Sequence, residues 1–457
     1  MIEIQIAGAG AGKTYGLAEA LIVHIKACTT HKKTFALTYT NSATAKIEQE
    51  IIKQHGFIPK NLYIQTVHSF LLNEIVYPFS SFTLGDVYND SSIMHVGNSK
   101  FKNGLFKKLR EKKVIHAENA YNISKQIVDE MVSRHSSRAK KAKVKRLLAI
   151  LESCFEKIFI DEVQDLDEDA LRFFEVLGSN GIDVYMIGDP KQAIKYPKAL
   201  ETFVDKVSGK EYVNILEINN QTRRVPKEIL AISNGFCYEG QQQESLSDVV
   251  GELMYIESTD AKYDDLLSNY ISTKQIVCID KKAGRYSTSS KHRHSFPQEV
   301  EEMIRESKHK KDKVLFAKAT FSDFLNEVEN YGAKTAINNL RAMHSLSFEK
   351  SHYAQLYELC SAFTEDNVQF TVRSIDSIKG LDANTCVIII SSNLLKYLTK
   401  NGIKEDDHFN KEWKKVYVAL TRAKHRLVLA LDHDLLLASD IEAAKSSISE
   451  LGFVYHH

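Results

Sequence analysis

The chain opens on a strand, a glycine-rich turn and a helix in immediate succession, and few arrangements constrain a fold more tightly. Ile2, Ile4 and Ile6 alternate with Glu3 and Gln5 as the buried face of a strand. Ala7-Gly8-Ala9-Gly10-Ala11-Gly12-Lys13-Thr14 follows, and Leu17, Ala18, Ala20, Leu21 and Ile22 then carry helix-like spacing. Such a junction cradles phosphate, because glycine lets the backbone approach closely and the amides at a helix start attract anions. In that geometry Lys13 reaches the β- and γ-phosphates and the Thr14 hydroxyl ligates Mg²⁺. Ala7 stands where the strict pattern has glycine, so the reading rests on the flanking strand and helix. The implied ligand is a nucleoside triphosphate, with ATP and Mg²⁺ as cofactors.

At 457 residues the chain is long enough for two or more domains, each with its own core. Sixty Lys and Arg against 59 Asp and Glu leave a net charge of +1, so any nucleic-acid surface must be local. No apolar run approaches a membrane span, and the N-terminus lacks a signal-peptide pattern. Cys28, Cys154, Cys237, Cys278, Cys360 and Cys386 lie far apart without paired metal spacing, which reads as reduced thiols in the cytoplasm.

Two further strand ends carry chemistry. Lys157-Ile158-Phe159-Ile160 is a buried-strand signal that stops at Asp161-Glu162-Val163-Gln164-Asp165. An apolar strand ending in Asp-Glu is where a P-loop fold places its metal-organising carboxylate. Asp161 would hold the metal through water, and Glu162 would orient and activate the attacking water. That role is hydrolytic, and it argues against a small-metabolite kinase. Val184-Tyr185-Met186-Ile187 ends in Gly188-Asp189-Pro190-Lys191-Gln192. From there Gln192 can reach a γ-phosphate, although the segment alone would read as an ordinary turn.

Taken in order, these segments resemble the UvrD/Rep/PcrA-like helicases of superfamily one over nearly the whole chain. Ala7 to Thr14 looks like motif I, Leu37 to Ala43 like motif Ia and Thr66 to Phe70 like motif Ib. Asp161 to Asp165 and Gly188 to Ile194 look like motifs II and III, and Gln221-Thr222-Arg223-Arg224-Val225-Pro226 is similar to motif IV. Ser374 to Asp382 resembles motif V and Val416 to Lys424 motif VI. The resemblance implies an α/β fold of two RecA-like P-loop domains with parallel sheets, a helical insert in the first and a minimal one in the second. ATP would lie between the domains, with Arg224 and Arg422 on the transferring phosphoryl group and with Arg223 and Asp382 also at the nucleotide. Tyr39, Thr40, Asn41, Thr66, His68, Tyr196 and Ser374 would face DNA. The implied activity is ATP-driven, 3′ to 5′ translocation or helicase action on single-stranded or partly duplex DNA.

The chain departs from that pattern in places. Motif I begins near residue one, without the Q-motif helix. Arg223 replaces an adenine-stacking tyrosine, Asp376 a histidine, and Lys195-Tyr196-Pro197 the usual continuation of motif III. Lys313 to Lys318 resembles the strand that precedes the second insert in the family, and that insert is reduced to one amphipathic stretch, Leu340 to Phe363. The expected boundaries are 1–72, 151–218, 219–335 and 370–457 for the RecA-like parts, with inserts at 73–150 and 336–369. Within 97–150, fifteen Lys or Arg stand against four Asp or Glu, among them Lys100, Arg134, Lys140, Lys141, Lys143 and Lys145. This is a candidate DNA surface.

A second expectation comes from compact UvrD-like proteins found beside OLD-family nucleases in anti-phage systems such as Gabija. It is a DNA-gated ATPase subunit that regulates a partner nuclease and unwinds little by itself. No nuclease domain is expected after motif VI.

Overall fold

The alternation at the N-terminus makes β1 (Ile2–Ile6), with Ile2 and Ile4 wholly buried. In the computed structural model, which describes residues 1–92, 102–130, 137–237, 240–288, 295–307, 313–361, 369–399 and 409–456, two units separate. One comprises residues 1–91, 108–283 and 372–457; the other comprises 92–107 and 284–371.

In the first unit β1 is joined by β2 (Lys33–Thr38), β3 (Leu62–Thr66), β4 (Phe155–Ile160), β5 (Asp183–Gly188) and β6 (Val213–Ile215). They form one sheet in the order β3-β2-β4-β5-β1-β6, every pairing parallel. Parallel neighbours need long crossovers, and helices supply them. On one face α1 (Lys13–Ala27) and α2 (Asn41–His55) bury Leu17, Leu21, Ile47 and Ile51 against Ala36 and Phe159. On the other, α3 (Ala120–Val128), α4 (Arg138–Cys154) and α5 (Glu168–Ser179) bury Ile127, Leu147, Leu151 and Phe174 with Ile4, Phe35 and Ile158. The described part of the basic 73–150 stretch that carries α3 and α4 is therefore a layer of the first sheet's core. Its exposed face keeps Lys141, Lys143, Lys145 and Arg146 in solvent. Lys100 and Arg134 lie outside the described residues.

The same unit holds a second sheet of β7 (Glu252–Glu257), β8 (Ile276–Ile279), β9 (Arg373–Ser374), β10 (Ala383–Ile390), β11 (Ala423–Leu431) and β12 (Val454–Tyr455). Its order is β9-β8-β10-β11-β7-β12, again wholly parallel. Numbered from its own first strand, this is the order of the first sheet repeated. Two RecA-like halves with parallel sheets follow from that repeat.

The second unit is helical and corrects the reading of Lys313 to Lys318 as a strand. Its helices are α6 (Gln298–Ser307), α7 (Lys313–Tyr331), α8 (Ala333–Met343) and α9 (Lys350–Ser361). Ala317, Phe321, Phe324, Leu325 and Val328 of α7 are buried at helical spacing, with Val300, Ile304, Ile337, Leu340 and Leu356. A helix stands where the family resemblance implied a strand, because the next ten residues bury their apolar side chains at helical spacing. The unit also holds a two-stranded pairing of Tyr286–Ser287 with Phe370–Thr371. The helical block thus begins well before residue 336 and is larger than a minimal insert.

Candidate nucleotide and nucleic-acid site

Gly10 and Gly12 hold φ of 72° and 78°, a region that favours glycine, and α1 starts immediately after them at Lys13. A Cβ on Gly10 would also lie 2.4 Å from Thr222 Oγ1 and 2.6 Å from the Arg224 Cβ. Only glycine lets this loop pass so close to the 222–224 segment. Lys13 Nζ donates to the carbonyls of Ala7 and Gly8 at 3.4 and 3.2 Å, folded over the loop whose phosphates it would bind.

At the end of β4, Thr14 Oγ1 donates to Asp161 Oδ2 at 3.3 Å. A hydroxyl and a carboxylate this close are an oxygen donor pair suited to Mg²⁺, which accepts one or two protein oxygens and keeps several waters. Burial, then the neighbouring Glu162, pushes the Asp161 carboxyl up against the pull of Lys13, and a bound cation would favour its ionised form. Glu162 is a non-glycine residue at φ 53°, ψ 40°. Such a conformation costs about 1–3 kcal/mol and persists only where surroundings enforce it. Here its amide donates to Asp161 Oδ1 at 2.8 Å, and the Gln164 amide holds its carboxylate. Desolvation would raise Glu162, but Lys13 and Lys379 outweigh it and keep the carboxyl below its ordinary value.

The second half supplies the opposite charge. Arg422, almost wholly buried, donates from Nη2 to Gln192 Oε1 at 3.1 Å and from Nη1 to the Leu381 carbonyl at 3.2 Å. Gln192 in turn donates to Asp189 Oδ2 at 2.8 Å. Burial and the nearby Arg224 push Arg422 down to about 10, which leaves it protonated at neutral pH. Arg224 and Lys424 both pair with Asp382, at 3.0 and 2.6 Å. Lys379 pairs with Asp165, and Lys46 Nζ donates to the Gly380 carbonyl. These groups surround a cleft of 410 Å³.

Of the residues singled out from sequence, Gly10, Gly12, Lys13, Thr14, Asp161, Glu162, Gln192, Arg223, Arg224, Asp382 and Arg422 line that cleft, joined by Tyr39 and Thr40. Ala7, Gly8, Ala9 and Ala11 shape the loop without lining it, and Ala7 and Ala9 are buried. Arg223 is exposed, and its amide donates to the Gly10 carbonyl at 3.3 Å.

The candidates for nucleic acid divide. Lys195 Nζ donates to the Tyr39 hydroxyl at 2.7 Å and lies 5.3 and 5.0 Å from the Tyr39 and Tyr196 ring centres. Two half-buried aromatics with a cation between them suit stacking on bases and pairing with phosphate. Thr40 and Thr66 accept from the amides of Ala43 and Ser69, each capping a helix start. Asn41 is exposed as the first residue of α2, and Ser374 is half-exposed in β9. His68 packs 4.7 Å from the Tyr121 ring, with Nε2 3.3 Å from the Ala117 carbonyl, and burial lowers its pKa. Its hydrogen bonds therefore go to the protein.

Several residues escaped sequence reading. Tyr417 donates to Gln243 Oε1 at 2.7 Å and lies 3.2 Å from Asp189 Oδ2. Gln243 Nε2 donates to the Ala9 carbonyl at 3.0 Å. Tyr417 and Asp189 sit inside quoted motifs, whereas Gln243 lies in Gln241-Gln242-Gln243 with no local signal. Elsewhere, His24, Cys28 and Glu156 bring donor atoms within 4.8 Å of one another. They are half-exposed beside the Lys157 ammonium, whose charge opposes a cation.

Residues 2–197 match the family described as AAA domain. The Gabija protein GajB of Bacillus cereus (strain VD045) is 26% identical over 289 residues, 60% of this chain and 54% of that protein. The chain thus aligns with about half the length of that relative. A structure of the arterivirus nonstructural protein 10 (helicase) in complex with DNA aligns over 94% of this chain and 59% of its own, at 11% identity and a TM-score of 0.35. No helix among the described residues is long and apolar enough to cross a membrane.

Proposed function

We infer that this chain, whose residues 2–197 match the AAA domain family, is a UvrD-like ATP hydrolase that converts turnover into movement along single-stranded DNA, 3′ to 5′. The observation that carries this reading is the meeting of two charge sets in one cleft. Lys13, Thr14, Asp161 and Glu162 come from the first half, and Arg224 and Arg422 from the second. Mg²⁺ held by Thr14 and Asp161 would neutralise charge on the β- and γ-phosphates.

The chain's own residues do the rest. Lys13 leaves the loop carbonyls for the phosphates, and Glu162, kept ionised by Lys13 and Lys379, orients the attacking water. Gln192 faces the γ-phosphate, and the two guanidiniums stabilise the charge that develops on it. Because the arginines belong to the other half, nucleotide favours the closed arrangement and its loss releases it. Tyr39, Lys195 and Tyr196, together with Thr40, Asn41, Thr66 and Ser374, form the proposed DNA track. The exposed lysines of α4 add a sequence-independent grip.

The test is ATPase activity with and without single-stranded DNA, for the wild type and Arg422→Ala. DNA should stimulate the wild type severalfold, and Arg422→Ala should lower kcat about a thousandfold while nucleotide still binds. Equal rates with and without DNA would leave a nucleotide-binding protein and no motor.

The similarity to GajB favours a second reading, in which the chain is a DNA-gated ATPase that works with a partner nuclease of the OLD family in a Gabija-type defence system. Its site of action would be the cytoplasm. Co-expression with an OLD-family nuclease encoded beside this chain and isolation of a stable complex would support it; absence of such a gene or of association would remove it.

A further inference from the structure

Lys414 lies on α10 (Lys411–Leu420), the helix of the second half that leads to Arg422, and its side chain is fully buried. Its ammonium donates to the Pro190 carbonyl at 2.8 Å and the Pro197 carbonyl at 2.7 Å. Those carbonyls stand at the two ends of one loop in the first half. Near the first end is Gln192, bonded to Arg422. Beside the second is Tyr196, stacked with Lys195 and, through it, with Tyr39. One cation therefore clips together the end of the loop facing the γ-phosphate and the end facing the proposed DNA track. Burial pushes the amine down to about 8, with the Glu201 and Asp189 charges holding it up and Lys379 and Lys191 opposing them. A buried ammonium costs desolvation free energy that packing alone would not require. A methionine of similar length would fill the same space without it.

We propose that Lys414 is a positioning residue that makes the Gln192 and Tyr196 ends of the 190–197 loop move as one piece, so that nucleotide state and DNA grip are coupled. This rests on the motor reading above. Prolines at both ends limit the loop's own torsions, and the clip supplies the remaining restraint. Severing it leaves Gln192 bonded to Arg422 and Asp189, so hydrolysis without DNA persists while its link to the track disappears.

The test compares wild type, Lys414→Met, Lys414→Gln and Lys414→Arg. Lys414→Met should keep basal ATPase and the KM for ATP within about twofold, yet lose most of the severalfold DNA stimulation. Lys414→Arg, which still offers several donors, should recover part of it. Hydrogen exchange with and without a slowly hydrolysed ATP analogue reads the coupling without DNA. In the wild type, protection should spread from Lys191 and Gln192 to Lys195 and Tyr196; in Lys414→Met it should stop at Gln192. If Lys414→Met melts too low to assay, Lys414→Gln serves, being too short to span both carbonyls. Wild-type stimulation and unchanged spread of protection in these variants would overturn the proposal. A wild type that DNA does not stimulate would overturn the motor reading, and hydrogen exchange would still decide whether Lys414 joins the two ends.

Discussion

Glu162 combines two unfavourable features at a single residue: a left-handed backbone, and a carboxylate kept charged beside the Asp161 carboxyl. Its amide bond to Asp161, the Gln164 side chain and the Lys13 and Lys379 ammoniums hold both in place. A position so constrained is one where geometry matters more than stability. Glu162→Gln preserves shape and hydrogen bonding but removes the charge that orients water. It should cut kcat by about a hundredfold or more without weakening nucleotide binding. Steady-state ATPase and a fluorescent-nucleotide titration check this, and normal turnover would place water activation elsewhere.

At the scale of elements, α5 shows how a helix is tied by charge, as well as by apolar packing, to the 206–210 segment that leads into β6. Its Glu175, fully buried, accepts from Arg172 at 3.0 Å, from Lys210 at 2.8 Å and from Lys206 at 3.4 Å. Burial alone would raise this carboxyl; the bonds from Lys210 and Arg172 outweigh it and bring it to about 2 from an ordinary 4.5. The folded protein therefore binds this proton less readily than the unfolded chain. The resulting stability is present above pH 4.5 and is lost as pH falls toward 2. Urea midpoints should drop through that window, and less so in Glu175→Gln, which at neutral pH should cost about 2 kcal/mol because its cationic partners are partly solvated.

The neighbouring α4 divides its labour by face: Val144, Leu147, Leu148 and Leu151 go into the core, and the lysines face outward. Reversing Lys140, Lys141, Lys143 and Lys145 to Glu should flatten the slope of log affinity for single-stranded DNA against log salt, by about 0.7 for each phosphate that is no longer neutralised. An unchanged slope would assign these lysines to solvent or to a protein partner.

For the first unit as a whole, the two halves meet through numerous polar contacts around a small apolar one, where Ala9 and Ile194 join the second half's core. Lys379 with Asp165, Arg422 with Gln192, and Tyr417 with Asp189 join residues more than 200 positions apart. An interface made of ion pairs and hydrogen bonds opens at lower cost than a continuous apolar one, which suits a cycle of closing and release. Lys379→Met leaves Asp165 without its cation and weakens closure, so the KM for ATP should rise about tenfold. Steady-state kinetics reads the effect, and an unaltered KM would show that this pair does not bear on closure.

The P-loop and the Asp161-Glu162 pair were legible in the sequence because each sits in a short contiguous segment at a strand end, and local spacing is what a linear sequence records. Gln192, Arg224 and Arg422 were expected only through the family resemblance, since their common cleft joins segments far apart in the chain. The repeated parallel sheets were legible as an expectation through the order of those segments. Other features depend on partners far away in the chain. Gln243 acquires its role by reaching Ala9, and Lys414 by reaching two proline carbonyls; neither has a neighbour that announces it. His68 could be read as a contact for DNA until the fold placed Tyr121 and Ala117 against it. Lys313 to Lys318 resembled a strand of the family, and the helix prevailed because only helical spacing buries Phe321, Phe324 and Val328 together. Sequence determined which chemical groups the molecule carries at its strand ends. Tertiary structure decided which of them meet, because burial and long-range pairing exist only once the chain has closed on itself.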